Sequence, residues 1–121
     1  MPAIPPVILK KLYVKRSLKP EGDGFSLSLK NTVAPGTILG LEGLELDGQA
    51  VPLENVTVVV EGQERPAASI TADTPLSFPL GATFTLHVTG VPLDSGRHKL
   101  KIRVVVQDVG PLEIPVADRV D

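Results

Sequence analysis

The chain is 121 residues long, with 12 basic and 14 acidic side chains and a 42% apolar share. That length supports one domain with its own core, and the apolar share excludes disorder. A formal net charge of −2 gives no global pull toward nucleic acid, and the lack of cysteine excludes disulfides, thiolate chemistry and cysteine-type zinc or iron–sulfur sites.

The chain opens on a proline-rich apolar run, residues 1–9, which contains Pro2, Pro5 and Pro6. Lys10 and Lys11 follow the apolar residues, whereas a secretory signal carries its charges first. No apolar stretch approaches the ~20 residues that span a membrane. The cytoplasm is therefore the expected compartment, with no membrane contact. The prolines predict an extended arm that does not bury itself as a helix and docks on a neighbouring subunit.

Twelve prolines and eleven glycines leave few helical windows. Residues 10–18 read as an irregular strand. Phe25-Ser26-Leu27-Ser28-Leu29-Lys30 alternates apolar and polar side chains without exception, as a half-buried strand does. Gly36, Gly40, Gly43 and Gly48 disfavour a helix between them. Asp47-Gly48 is a strong hairpin signal, joining Gly43–Leu46 to an extended piece near Val51. Val56-Thr57-Val58-Val59-Val60 is β-branched throughout. Asn55-Val56-Thr57 matches a glycosylation sequon but is read as the start of that strand. Residues 63–80, with Pro66, Pro75 and Pro79, form a long connection holding one short strand at Ser69–Thr71. Residues 83–89 and 99–104 alternate again, and Leu112–Val116 is a last strand placed at a sheet edge by Pro115.

The expected fold is all-β: a single-domain antiparallel β-sandwich of about seven or eight strands covering residues 1–121. Its expected core comprises Phe25, Leu27, Leu29, Val58, Phe84, Leu86, Val88, Leu100, Ile102 and Val104.

Enzymatic signatures are missing. There is no nucleophile elbow, no Walker A sequence and no dinucleotide fingerprint. Asp94, Ser95 and His98 share one turn, whereas a catalytic triad converges from separate elements. No catalytic residue and no metal ligand is assigned. His87 lies on the polar face of its strand. His98 has core parity at a strand entrance, where a backbone carbonyl near the Gly96 turn is its expected partner. Five basic residues (Lys10, Lys11, Lys15, Arg16 and Lys19) occupy the first twenty positions without an acid, while the remainder carries seven basic and fourteen acidic residues. Lys99, Lys101 and Arg103 form a second basic stripe. Such stripes bind phosphates, carboxylates or acidic partners, or they blunt a sheet edge. The candidate interface or ligand contacts are His87, His98, Lys99, Lys101, Arg103, Lys11, Lys15 and Arg16.

Three stretches together carry a resemblance. They are Ser17-Leu18-Lys19 with Gly24–Leu29, Leu46-Asp47-Gly48-Gln49-Ala50-Val51-Pro52 with Glu54-Asn55-Val56, and Leu93-x-x-Gly96-x-His98-x-Leu100. Over roughly residues 10–106 the chain resembles the small beta subunit of bacterial C-glycoside deglycosidases. The resemblance implies a non-catalytic subunit of a carbon–carbon lyase complex. Its larger (β/α)-barrel partner would hold the divalent metal and the catalytic residues, with no cofactor in this chain. Two other expectations stand beside it. One is a stand-alone homo-oligomeric sandwich with no nucleic-acid partner. The other is a small ligand-binding domain or enzyme using His87, Lys99, Lys101 and Arg103.

Overall fold

A computed structural model describes residues 4–121. Among them are ten strands: β1 (Lys19–Glu21), β2 (Gly24–Lys30), β3 (Gly36–Leu46), β4 (Gln49–Ala50), β5 (Val56–Val60), β6 (Gln63–Pro66), β7 (Leu76–Phe78), β8 (Thr83–Val88), β9 (Gly96–Val106) and β10 (Gly110–Val120). They build two antiparallel sheets. The first has the order β1-β2-β8-β5-β6; the second has the order β10-β9-β3-β4, with β7 also paired to β3.

The alternating windows become the middle of each sheet. Phe25, Leu27 and Leu29 of β2 pair with Val88, Leu86 and Phe84 of β8, and Val56, Val58 and Val60 of β5 pair with the same three from the other side. Leu100, Ile102 and Val104 of β9 supply the facing layer, and all ten expected core residues are buried. Burial of these apolar faces between two sheets is the main favourable term in such a fold. Phe78 and Phe84 meet in a tilted pair with ring centres 5.5 Å apart, a favourable aromatic geometry.

The tight turns fall where the sequence places them. Asp47 and Gly48 both have positive φ, 52° and 85°, which matches the twist of a two-residue hairpin between β3 and β4. Irregularities in the β3–β9 pairing fall beside Gly40 and Gly43. Pro115 lies in β10, the edge strand of the second sheet, where its missing N–H costs no internal ladder bond.

Three expectations are corrected. Residues 10–18 are not a strand. A short helix, α1 (Pro6–Leu9), runs into a 3-10 turn at Lys10–Leu12, and only Tyr13 bridges to a strand residue, Leu29. Pro5 and Pro6 start this helix instead of stiffening an arm: the Pro5 carbonyl accepts from the N–H groups of Ile8 and Leu9, and proline suits a first helical turn. Leu9 and Leu12 are buried in the chain's own core, so the described part of the expected arm folds back; Met1–Ala3 lie outside the described residues. Finally, residues 63–80 hold two strands, β6 and β7, and neither is the strand expected at Ser69–Thr71: Ser69 ends a 3-10 turn, Ala67–Ser69, and residues 70–71 lie in no strand.

Candidate functional site: a lysine-lined groove

The N-terminal segment packs along β10 and is fastened there by Tyr13. The Tyr13 hydroxyl donates to Asp118 Oδ2 at 2.6 Å and accepts the Leu18 N–H at 2.9 Å. Asp118 Oδ2 also accepts the Arg16 N–H at 2.8 Å. The Tyr13 hydroxyl holds the Asp118 carboxyl below the usual carboxylate range. Burial, followed by that carboxylate, pushes the Tyr13 phenol up.

This fastening leaves an open groove of about 720 Å³ between the N-terminal segment and the β9–β10 face. Lys10, Lys11 and Lys15 line it from one side; Lys99 and Lys101 line it from the strands. The floor is formed by Pro115 and Ala117, whose side chains share the outer face with Lys99 and Lys101; Leu100 and Val116 turn their side chains into the core and offer only backbone there. Space exists because Pro115 faces Lys101 and Ala117 faces Lys99 across the β9–β10 pair, so small or ring-closed side chains lie beside the long ones. No carboxylate lines the groove among the described residues. Lys101 reaches Glu113 at 3.7 Å, with both side chains about half exposed; a pair this exposed is worth little.

Of the eight candidate contacts, the groove brings together Lys11, Lys15, Lys99 and Lys101. The other four lie elsewhere. Arg16 turns toward the carboxyl end, 3.9 Å from Asp121. Arg103 pairs with Glu45 on the outer face of the second sheet. His87 pairs with Glu21 on the first sheet. Lys10 completes the lysine set; it belonged to the basic run but not to the selected contacts. Tyr13 and the floor residues Pro115 and Ala117 carried no signal: the floor joins the site only through the β9–β10 register, and Tyr13 only through its long-range bond to Asp118.

His98 is a clamp. Its Nε2 lies 2.7 Å from the Asp94 carbonyl, the kind of partner its parity predicted, and its Nδ1 lies 2.7 Å from Asp47 Oδ2. Asp47 also accepts the Lys99 N–H at 2.9 Å. Both ring nitrogens face acceptors, so the doubly protonated ring fits best. Asp47 first, then the Asp94 carbonyl, pushes the His98 pKa up from its ordinary 6.5. The Lys99 N–H first, then His98, holds Asp47 below its ordinary 3.8.

The sign of the pH effect follows. The stability contributed by His98 is complete below about pH 6.5 and is lost as pH rises through its raised folded value. The contribution of Asp47 is present above about pH 3.8 and is lost as pH falls through its lowered folded value. His98→Ala is therefore expected to cost more stability at about pH 5.5 than at about pH 8.5 in urea unfolding, and an NMR titration should put the His98 midpoint above 6.5. A pH-independent cost, or a midpoint at or below 6.5, would remove the clamp.

A second concavity, about 120 Å³, lies between the sheets at the other end of β9 and is almost wholly apolar, with Leu12, Leu29, Phe78, Val104 and Leu112 in its walls. Asn31, its one polar side chain, spends its hydrogen bonds on nearby backbone. No helix among the described residues is long and apolar enough to cross a membrane. No group of three or more histidine, aspartate or glutamate side chains poised for a metal occurs among them either.

A family model described as "Hydroxymethylglutaryl-CoA reductase, N-terminal domain" matches residues 8–121. No curated protein matches the chain. The family match overturns the resemblance to deglycosidase small subunits, and with it the lyase complex and the barrel partner. The physical reason is visible in the fold. Asp47-Gly48 and Gly96-x-His98, which carried that resemblance, are a two-residue turn and a strand start joined by the Asp47–His98 contact, features any antiparallel sandwich can use. The match lends no support to a stand-alone homo-oligomeric module either.

Proposed function

Because the chain belongs to the hydroxymethylglutaryl-CoA reductase N-terminal domain family, we propose that it is a non-catalytic β-sandwich module that works beside a reductase catalytic unit. Its contribution is a binding surface, the lysine groove. The observation that carries this reading is convergence. Lysines from the first fifteen residues and from β9 meet in one concavity whose described lining holds no carboxylate.

The groups in unusual environments point the same way. The His98 ring is held at both nitrogens, and the Tyr13 hydroxyl is held by Asp118 and Leu18. A general acid or base must be free to exchange a proton with substrate, and these two serve the fold. We assign the reacting groups and the reductant's site to the catalytic unit. A cysteine-free sandwich needs no oxidising compartment, which is compatible with a cytoplasmic setting.

The test is to express the chain with a hydroxymethylglutaryl-CoA reductase catalytic unit from the same source. Copurification is expected, with a reductase KM about several-fold lower when the module is present and kcat little changed, the signature of added binding. Lys99→Glu with Lys101→Glu should return KM to the value without the module. Turnover by the module alone, or no association and no effect on KM, would overturn the proposal.

A further inference from the structure

We propose that the lysine groove holds a soluble phosphate compound, a diphosphate or phosphate ester carrying at least two negative charges. The inference rests on the groove being the module's binding surface and names what occupies it.

Charge is the first argument. Lys10, Lys11, Lys15 and Lys99 have no ion-pair partner within 4.0 Å among the described residues, and Lys101 has only the half-exposed Glu113. Five lysines line one concavity, so a multiply charged anion seated there is attracted to all of them at once. Each ammonium brings three donors on a flexible stem, which suits the several acceptor oxygens of a phosphate.

Shape is the second argument. The groove's volume of about 720 Å³ falls within the usual range for small-ligand sites. Its outward-facing apolar lining, Val7, Pro115 and Ala117, takes the apolar body of an ester while the lysines take its charge.

The alternatives fit less well. An extended acidic peptide would bind by pairing with the free edge of β10. That edge carries Pro111 and Pro115, which offer no N–H, and α1 packs against the same strand. A nucleic acid or an anionic membrane spreads over a wide basic surface. Beyond residue 20 this chain carries seven basic and fourteen acidic residues, so its positive charge is local.

The test is calorimetric titration of the full chain with sodium pyrophosphate. Citrate serves as a carboxylate of comparable charge, and phosphatidylglycerol vesicles serve as a lipid phosphate source. Pyrophosphate is expected to bind, more weakly as salt rises. Lys99→Glu with Lys101→Glu, and separately Lys11→Glu with Lys15→Glu, should each weaken it by about tenfold or more. Lys30→Glu, exposed and outside the groove, should leave it unchanged. The neutral Gln pairs serve if an acidic pair does not fold. Equal binding of citrate, binding of vesicles alone, or an equal loss with Lys30→Glu would overturn the phosphate assignment. If pyrophosphate does not bind but the acidic pairs still abolish the effect on reductase KM, the ligand is wrong and the surface is right. If both readouts are silent, both readings fail.

Discussion

Replacing Gly24 by alanine is expected to destabilise the protein by about 3 kcal/mol. Gly24 opens β2 and is buried; a Cβ there would lie 1.8 Å from the Val88 carbonyl oxygen and 3.0 Å from the Thr89 Cα. These are backbone atoms, so no side-chain rotation relieves the clash. Gly24 does not have a left-handed φ, and alanine accepts its backbone conformation, so the cost is purely steric. β8 also pairs with β5 through Val88 and Val56, so moving the Val88 carbonyl disturbs the sheet on both sides. Gly22, two residues earlier, is the control. Its φ is +58° and nothing lies within 4 Å of its missing Cβ. Gly22→Ala meets only backbone strain, about 1 kcal/mol. For a chain of this size, about 3 kcal/mol lowers Tm by roughly 12 °C. Thermal and urea unfolding of the two variants decide the point. A Gly24→Ala cost no larger than that of Gly22→Ala would mean that β2 and β8 are not paired as described.

The two glycines also mark where sequence reading stops. Glu21-Gly22-Asp23-Gly24 reads as one turn, and nothing local separates the glycine that needs a positive φ from the one pressed against a carbonyl. What was legible was periodic or local. The alternation in β2, β8 and β9 placed the core, Asp47-Gly48 placed a hairpin, and the parity of His98 anticipated its bond to a nearby carbonyl. What was not legible needed topology. Asp47 is 51 residues from His98, and Asp118 is 105 residues from Tyr13. The two basic stripes were each visible, but their union in one groove depends on the N-terminal segment lying along β10. The prolines near the start misled because proline is both a strand stiffener and a good first helical residue. Which role applies here depends on the burial of Leu9 and Leu12, a tertiary fact.

Asn31→Ala is the second large effect expected, again about 3 kcal/mol and roughly 12 °C in Tm. Asn31 is 4% exposed. Its Nδ2 donates to the carbonyls of Ala34 and Phe78 at 2.7 and 2.9 Å, and its Oδ1 accepts the N–H groups of Val33 and Ala34 at 3.2 and 3.3 Å. Its backbone adds bonds to Ala82 and Gly81. The side chain thus ties the end of β2 to the segment leading into β3 and to the end of β7, while the backbone of the same residue holds the turn before β8. Alanine leaves two donors and two acceptors without partners, and only those nearest solvent recover water. Asn31→Asp separates this account from simple loss of packing. Its carboxylate still accepts the two N–H groups but faces two carbonyl oxygens, an arrangement that favours the protonated acid. An acid whose pKa is raised by folding costs stability as pH rises above its unfolded value of about 3.9. The Asp variant should therefore melt well below wild type at about pH 7 and recover part of the gap at about pH 4, whereas the Ala variant should show no such recovery. A matching pH dependence in both, or an Ala variant that melts within a few degrees of wild type, would mean that these four bonds do not hold the end of the sandwich together.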